Sequence, residues 1–135
     1  MDKFVFDDSL KLGVSLIDEQ HGLFIGYIND TWEALERKDS KDEFLHILNQ
    51  LMDYVLVHFS DEEELMKEFE YPGLIEHRQN HSRTTDELFG FDVRLMSDDP
   101  EAAKAFLDFL ADWLRNHINV VDRELAAYLK DKGCA

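Results

Sequence analysis

Apolar residues recur along this chain at steps of three and four, the period of a helix with one buried face. His21, Phe24, Ile25, Ile28, Trp32 and Leu35 form one such stripe and predict a helix from about Leu16 or Asp18 to Arg37. Ser40 followed by Glu43 reads as a capping box that opens a second helix. Its stripe is Phe44, Leu48, Leu51, Val55, His58, Glu62, Leu65 and Phe69, ended by Tyr71-Pro72-Gly73. A third helix is expected from Leu74 to Met96, with Leu74, His77, His81, Leu88, Phe91 and Leu95 inward. Ser97-Asp98-Asp99-Pro100 reads as a turn, with Asp99 as N-cap and Pro100 as the first residue of a fourth helix. That helix turns Ala103, Phe106, Leu110, Trp113, Leu114, His117, Val121, Leu125 and Tyr128 to the core.

Short connections between long amphipathic helices predict an all-α, up-down-up-down four-helix bundle. Residues 1–15 are expected to be an N-terminal arm whose Phe4, Val5, Phe6 and Leu10 pack on the bundle. Residues 16–130 make the bundle and 131–135 a tail, so residues 1–135 read as one domain. Two prolines and six glycines in 135 residues leave the helical stretches nearly free of breakers.

Charge narrows the function. Thirty Asp and Glu against 14 Lys and Arg give a formal net charge of −16. That surface repels phosphate backbones and anionic lipid heads, which argues against nucleic-acid binding and membrane attachment. No apolar run reaches the ~20 residues of a membrane span. The N-terminus lacks a signal pattern, and Cys134, the one cysteine, has no internal partner; the expected location is cytoplasmic.

The informative feature is polar. Five of the six histidines, His21, His58, His77, His81 and His117, fall on inward stripes, joined by Glu62 and Asp122. His46 is on the other side of its helix and is expected to be exposed. A single inward histidine is ordinarily a satisfied core residue. Seven polar groups converging from four helices need a common partner, because each unpaired neutral group costs roughly 2–7 kcal/mol. A spacing of four sets two side chains about 40° apart and about 6 Å along the axis, so His58 with Glu62, and His77 with His81, can share one volume. His117 and Asp122 are five apart, about 140° on an ideal helix, which predicts a local bulge or kink, or an aspartate reaching sideways from the stripe edge. Glu63 and Glu64 turn away from the His58 face and read as solvated charges.

Imidazole with carboxylate suits iron, zinc or manganese, and no buried thiolate points to structural zinc or an iron–sulfur cluster. The count favours two metals. Five imidazoles, two bridging carboxylates and a bridging oxo or hydroxo leave about one of twelve positions free on two six-coordinate ions, room for a small diatomic ligand.

His21, His58-x3-Glu62, His77-x3-His81 and His117-x4-Asp122 resemble the hemerythrin ligand pattern in order and spacing. The local wording agrees: Ile17-Asp18-Glu19-Gln20-His21 with Leu23-Phe24, His58-Phe59 with Glu62-Glu63, and Trp113-Leu114 before His117. The likeness is greatest to the single-domain bacterial branch, although Phe4 and Phe6 stand where many bacterial relatives carry an arm tryptophan. The resemblance implies two Fe ions, cycling between diferrous and diferric, with a bridging oxo or hydroxo and reversible O2 binding. It implies that His77, His81 and His117 hold the filled iron and His21 and His58 the open one, with Glu62 and Asp122 bridging. It also implies an apolar O2 pocket of Phe24, Phe59, Trp113, Leu114 and Ile118.

An oxygen carrier, store or delivery protein is therefore the expected function, with no catalytic residues. An O2 or redox sensor is a second reading, though the bundle leaves no room for an output domain. A di-iron oxidase or peroxidase is a third. It is ranked lower because oxidising di-iron bundles usually carry more carboxylates, as in paired Glu-x-x-His motifs.

Overall fold

The computed structural model describes residues 10–97 and 99–134. Among them are α1 (Ser15–Glu36), α2 (Lys41–Glu68), α3 (Leu74–Met96), α4 (Ala102–Trp113), a π-helix (Leu114–Asp122) and α5 (Arg123–Asp131). The last three continue one another and make the fourth rod of an all-α bundle. Helix α1 packs on α2, α2 on α3, α3 on α4, and α4 back on α1. Connections of four or five residues force neighbours to run antiparallel, giving the expected up-down-up-down order.

Helices α1 and α2 end alike. Lys38 and Glu70 adopt positive φ, +56° and +53°. Asp39 N–H then reaches back to Ala34 O at 3.0 Å and Tyr71 N–H to Met66 O at 2.8 Å. Both are Schellman closures with a side chain where glycine is usual, which costs about 1–2 kcal/mol of backbone strain each.

Two expected starts differ. Ser40 is the N-cap of α2, but its side chain makes no capping bond, and Glu43 N–H bonds the Ser40 carbonyl at 3.1 Å instead. Helix α4 begins at Ala102 rather than Pro100. Asp99 still receives an N–H, that of Glu101 at 2.9 Å, and its carbonyl receives Ala102 N–H at 3.1 Å, so a turn precedes the helix.

Phe4, Val5 and Phe6 lie outside the described residues. The rest of the arm is anchored: Leu10 packs on the larger core and Leu12 and Val14 are buried in the smaller. The Asp18 carboxylate accepts Leu12 N–H at 2.7 Å and Gly13 N–H at 3.0 Å. Gly13 takes φ +88°, and a Cβ there would come within 2.8 Å of the Lys130 side chain, so glycine lets the arm turn against α5.

The interior is layered. A large apolar cluster includes Phe24, Ile28, Leu48, Leu51, Val55, Leu88, Phe106, Leu110 and Leu114. A smaller one at the other end includes Leu12, Ile17, Met66, Leu125 and Leu129. Each rod passes from one to the other through a polar layer: Ile17–His21–Phe24 on α1, and Val55–His58–Glu62–Met66 on α2. No described helix is long and apolar enough to cross a membrane.

Candidate metal centre

The polar layer consists of His21, His58, Glu62, His77, His81, His117 and Asp122, each at most 6% exposed. All five imidazoles turn Nε2 inward. Glu62 Oε1 lies 3.3 Å from His77 Nε2 and 3.0 Å from His81 Nε2. Its other oxygen, Oε2, lies 3.3 Å from His58 Nε2 and 3.8 Å from His21 Nε2. Asp122 divides the same way, with Oδ1 3.0 Å from His77 Nε2 and 3.1 Å from His117 Nε2, and Oδ2 3.0 Å from His21 Nε2. Two donor sets result: His77, His81, His117 with both carboxylates, and His21, His58 with both carboxylates.

The π-helix makes this possible. Hydrogen bonds from i to i+5 bring residues five apart onto one face, so His117 and Asp122 both point inward. The expected distortion is present, but it occupies nine residues rather than a single bulge.

These atoms fit cations better than they fit each other. His58 Nε2, Glu62 Oε2, His77 Nε2, His117 Nε2 and Asp122 Oδ1 are buried without a hydrogen-bond partner, despite neighbours near 3 Å. Each such atom ordinarily costs about 1–3 kcal/mol. Donors about 2.1 Å from one ion and at right angles to each other stand about 3.0 Å apart, the separation that recurs here.

Electrostatics tell the same story. Burial and the nearby Asp122 charge push the Glu62 carboxyl up, but His58, His77 and His81 outweigh them and hold it at about 2. Asp122 is likewise held well below the ordinary range, burial being overcome by His117, His21 and His77. Burial lowers His77, but the carboxylates of Asp122 and Glu62 facing its Nε2 reverse this and raise it to about 9. His58 goes the other way, pushed down chiefly by burial.

Aromatic side chains wall one side. Phe59 stacks on His81 at 3.7 Å and Trp113 on His117 at 4.3 Å. Phe24 lies 4.8 Å from Trp113 and joins Phe59, Leu114 and Ile118 in the large core cluster. All five expected pocket residues are buried.

Three outer residues were not anticipated. Gln20 meets His58 Nδ1 at 2.5 Å and Asp61 at 2.7 Å. Glu63, expected to be a solvated charge, sits between His81 Nδ1 at 3.4 Å and Arg78 Nε at 2.9 Å. Its place depends on α3 crossing α2, which no spacing within α2 could reveal. Glu64 and His46 are exposed as expected.

Histidines and carboxylates converging between four helices define a cation-binding bundle. A family model, the hemerythrin HHE cation binding domain, matches residues 12–129, and the chain belongs to the hemerythrin family. It is similar to a bacteriohemerythrin of Clostridium acetobutylicum, 29% identical over 90% of this chain and 97% of that one. A myohemerythrin of Sipunculus nudus is 30% identical over 90% of this chain and 89% of its own. A crystal structure of a hemerythrin mutant superposes with a TM-score of 0.77 at 25% identity, covering 86% of this chain and 88% of that one.

Proposed function

We propose that this protein binds O2 reversibly at a pair of non-haem irons, acting as an oxygen carrier, store or delivery protein. His77, His81 and His117 would hold one iron and His21 and His58 the other, with Glu62 and Asp122 bridging. The observation that carries this reading is the division of each carboxylate, one oxygen toward His77 and the other toward His21. An iron pair held by these residues would, when reduced, supply the two electrons that hold O2 and would recover them on release.

The protein's part is selection and protection. A two-histidine set beside a three-histidine set leaves one half short of a donor, which is where a small ligand enters. Phe24, Phe59, Trp113, Leu114 and Ile118 form an apolar wall that limits water and protons near the ligand. Five neutral imidazoles against two carboxylates favour exchange of O2 over onward oxidation, so binding rather than catalysis is the reading. A single domain spanning residues 1–135 and a cytoplasmic location complete the proposal.

Purified protein should contain two irons per chain and take up one O2 when reduced. Cycles of anaerobic reduction, air and O2 removal should make a visible spectrum form and fade repeatedly. One-way oxidation at the first exposure would overturn the carrier reading, and steady O2 consumption with a reductant would replace it with an enzyme.

A further inference from the structure

Gln20 is buried, at 8% exposed, and the function proposed above gives it no task. Its side chain crosses from α1 to α2. There its amide Nε2 donates to Asp61 Oδ2 at 2.7 Å, and its Oε1 faces His58 Nδ1 at 2.5 Å. Tyr54, one turn before His58, donates its hydroxyl to the Gln20 carbonyl. The Tyr54 ring also lies nearly parallel to the His58 imidazole, at 6° with centroids 5.5 Å apart.

The direction of every bond in this chain follows from its outer end. A carboxylate only accepts, so Asp61 takes an N–H of the Gln20 amide. With its nitrogen committed, the amide must turn its oxygen to His58. A carbonyl oxygen also only accepts, so His58 carries its proton on Nδ1 and leaves Nε2 as a lone pair. Nε2 is the atom that faces Glu62 Oε2 at 3.3 Å and has no hydrogen-bond partner.

We propose that Gln20, oriented by Asp61, is a positioning residue that fixes the ring and tautomer of His58 and so keeps the His21–His58 half of the centre ready for its metal. It acts through His58 and touches neither ion nor O2. The effect is local to that half. His21 Nδ1 is buried without a partner, so Gln20 supplies the outer anchor there, whereas the three-histidine half has its own in Glu63 on His81. The inference rests on the two-metal reading.

The test uses iron-loaded protein challenged with a competing chelator. Gln20→Ala should release one of the two irons about ten- to a hundred-fold more readily and keep the other, the usual scale for an outer partner of a ligating histidine. Asp61→Ala should fall in the same direction, because the amide is then free to flip. Asp61→Asn should behave as wild type, since its amide oxygen still accepts from Gln20. The double variant Gln20→Glu with Asp61→Asn should also hold both irons, because an acceptor again faces His58 Nδ1. In the diferrous protein, proton NMR should show the iron-shifted His58 Nδ1–H exchanging faster with water in Gln20→Ala.

Parallel loss of both irons, wild-type behaviour of Gln20→Ala, or failure of the double variant would each overturn the positioning role. Should Gln20→Ala not fold, Asp61→Ala against Asp61→Asn carries the same comparison. A wild-type chain that holds fewer than two irons would overturn the two-metal reading and this inference with it. Two irons in wild type and no effect at Gln20 would overturn this inference alone.

Discussion

His117 and Asp122 are five residues apart, yet His117 Nε2 lies 3.1 Å from Asp122 Oδ1. On an α-helix that spacing would swing the two side chains about 140° apart and send one of them away from the centre. The π-helix from Leu114 to Asp122 holds them on one face, so an unfavourable stretch of backbone is part of the site.

Removing one residue from this stretch tests that role. Val120 is exposed, at 55%. Deleting it leaves a spacing of four, which an ordinary α-helix presents on one face, so both irons should be retained. Inserting an alanine after Val120 makes the spacing six, which neither helix form aligns, and metal content should fall toward zero. Iron per chain, measured for both, decides it; the opposite pattern would remove the π-helix from the account.

Metal affinity should climb with pH through neutrality. His77, raised to about 9 by Asp122 and Glu62 against its burial, is protonated in the metal-free protein at pH 7, and an incoming ion must displace that proton. One displaced proton gives about tenfold in affinity per pH unit, levelling above the folded value. Stability of the metal-free fold runs the other way. A histidine raised from 6.5 to about 9 stabilises fully below the lower value and loses that contribution as pH rises through the upper one. Ferrous titrations and metal-free melting curves between about pH 7 and 9 should therefore trend in opposite directions. A flat or falling affinity over that window would exclude His77 as the displaced group.

How far the sequence could be read follows from what each residue answers to. Helix α3 runs from Leu74 to Met96, as its stripe predicts, because its boundaries are set locally by Pro72-Gly73 and by the turn after Met96. The seven converging residues were legible because burying imidazoles and carboxylates on helical stripes admits few explanations. The five-residue spacing signalled a distortion, but its nine-residue extent depends on packing along the whole rod. Gln20 and Glu63 carried no periodic signal. One acts across α1 and α2 and the other across α2 and α3, contacts that exist only once the helices are side by side. The capping reading failed at Ser40 because the motif allows a reciprocal bond that the side chain does not make.

Trp113 is held over His117 by one buried bond, its Nε1–H donating to Thr84 Oγ1 at 3.0 Å. Thr84→Val keeps the shape and removes the acceptor, leaving the indole N–H unsatisfied at a cost of about 1–3 kcal/mol. Chemical denaturation of the iron-loaded protein should show that loss. If the bond also aligns the stack on His117, at 4.3 Å and 13°, release of the three-histidine iron to a chelator should quicken as well. Unchanged stability would mean the indole finds another acceptor.

Leu114 gives the sharpest test of the apolar wall. It is 2% exposed at the start of the π-helix, in the same cluster as Phe24, Phe59 and Ile118. Leu114→Ala should cost about 2–5 kcal/mol through the cavity it leaves, whatever the function. If the side chain also keeps water from bound O2, the oxygenated protein should decay faster to the diferric form. Leu114→Met, which conserves volume, separates the two effects: it should stay close to wild type in both stability and decay rate. The measurement is the fading of the oxygenated spectrum in air-saturated buffer for all three proteins. Equal decay rates, with Leu114→Ala destabilised as expected, would make Leu114 a core residue and leave the exclusion of water to Phe24, Phe59 and Trp113.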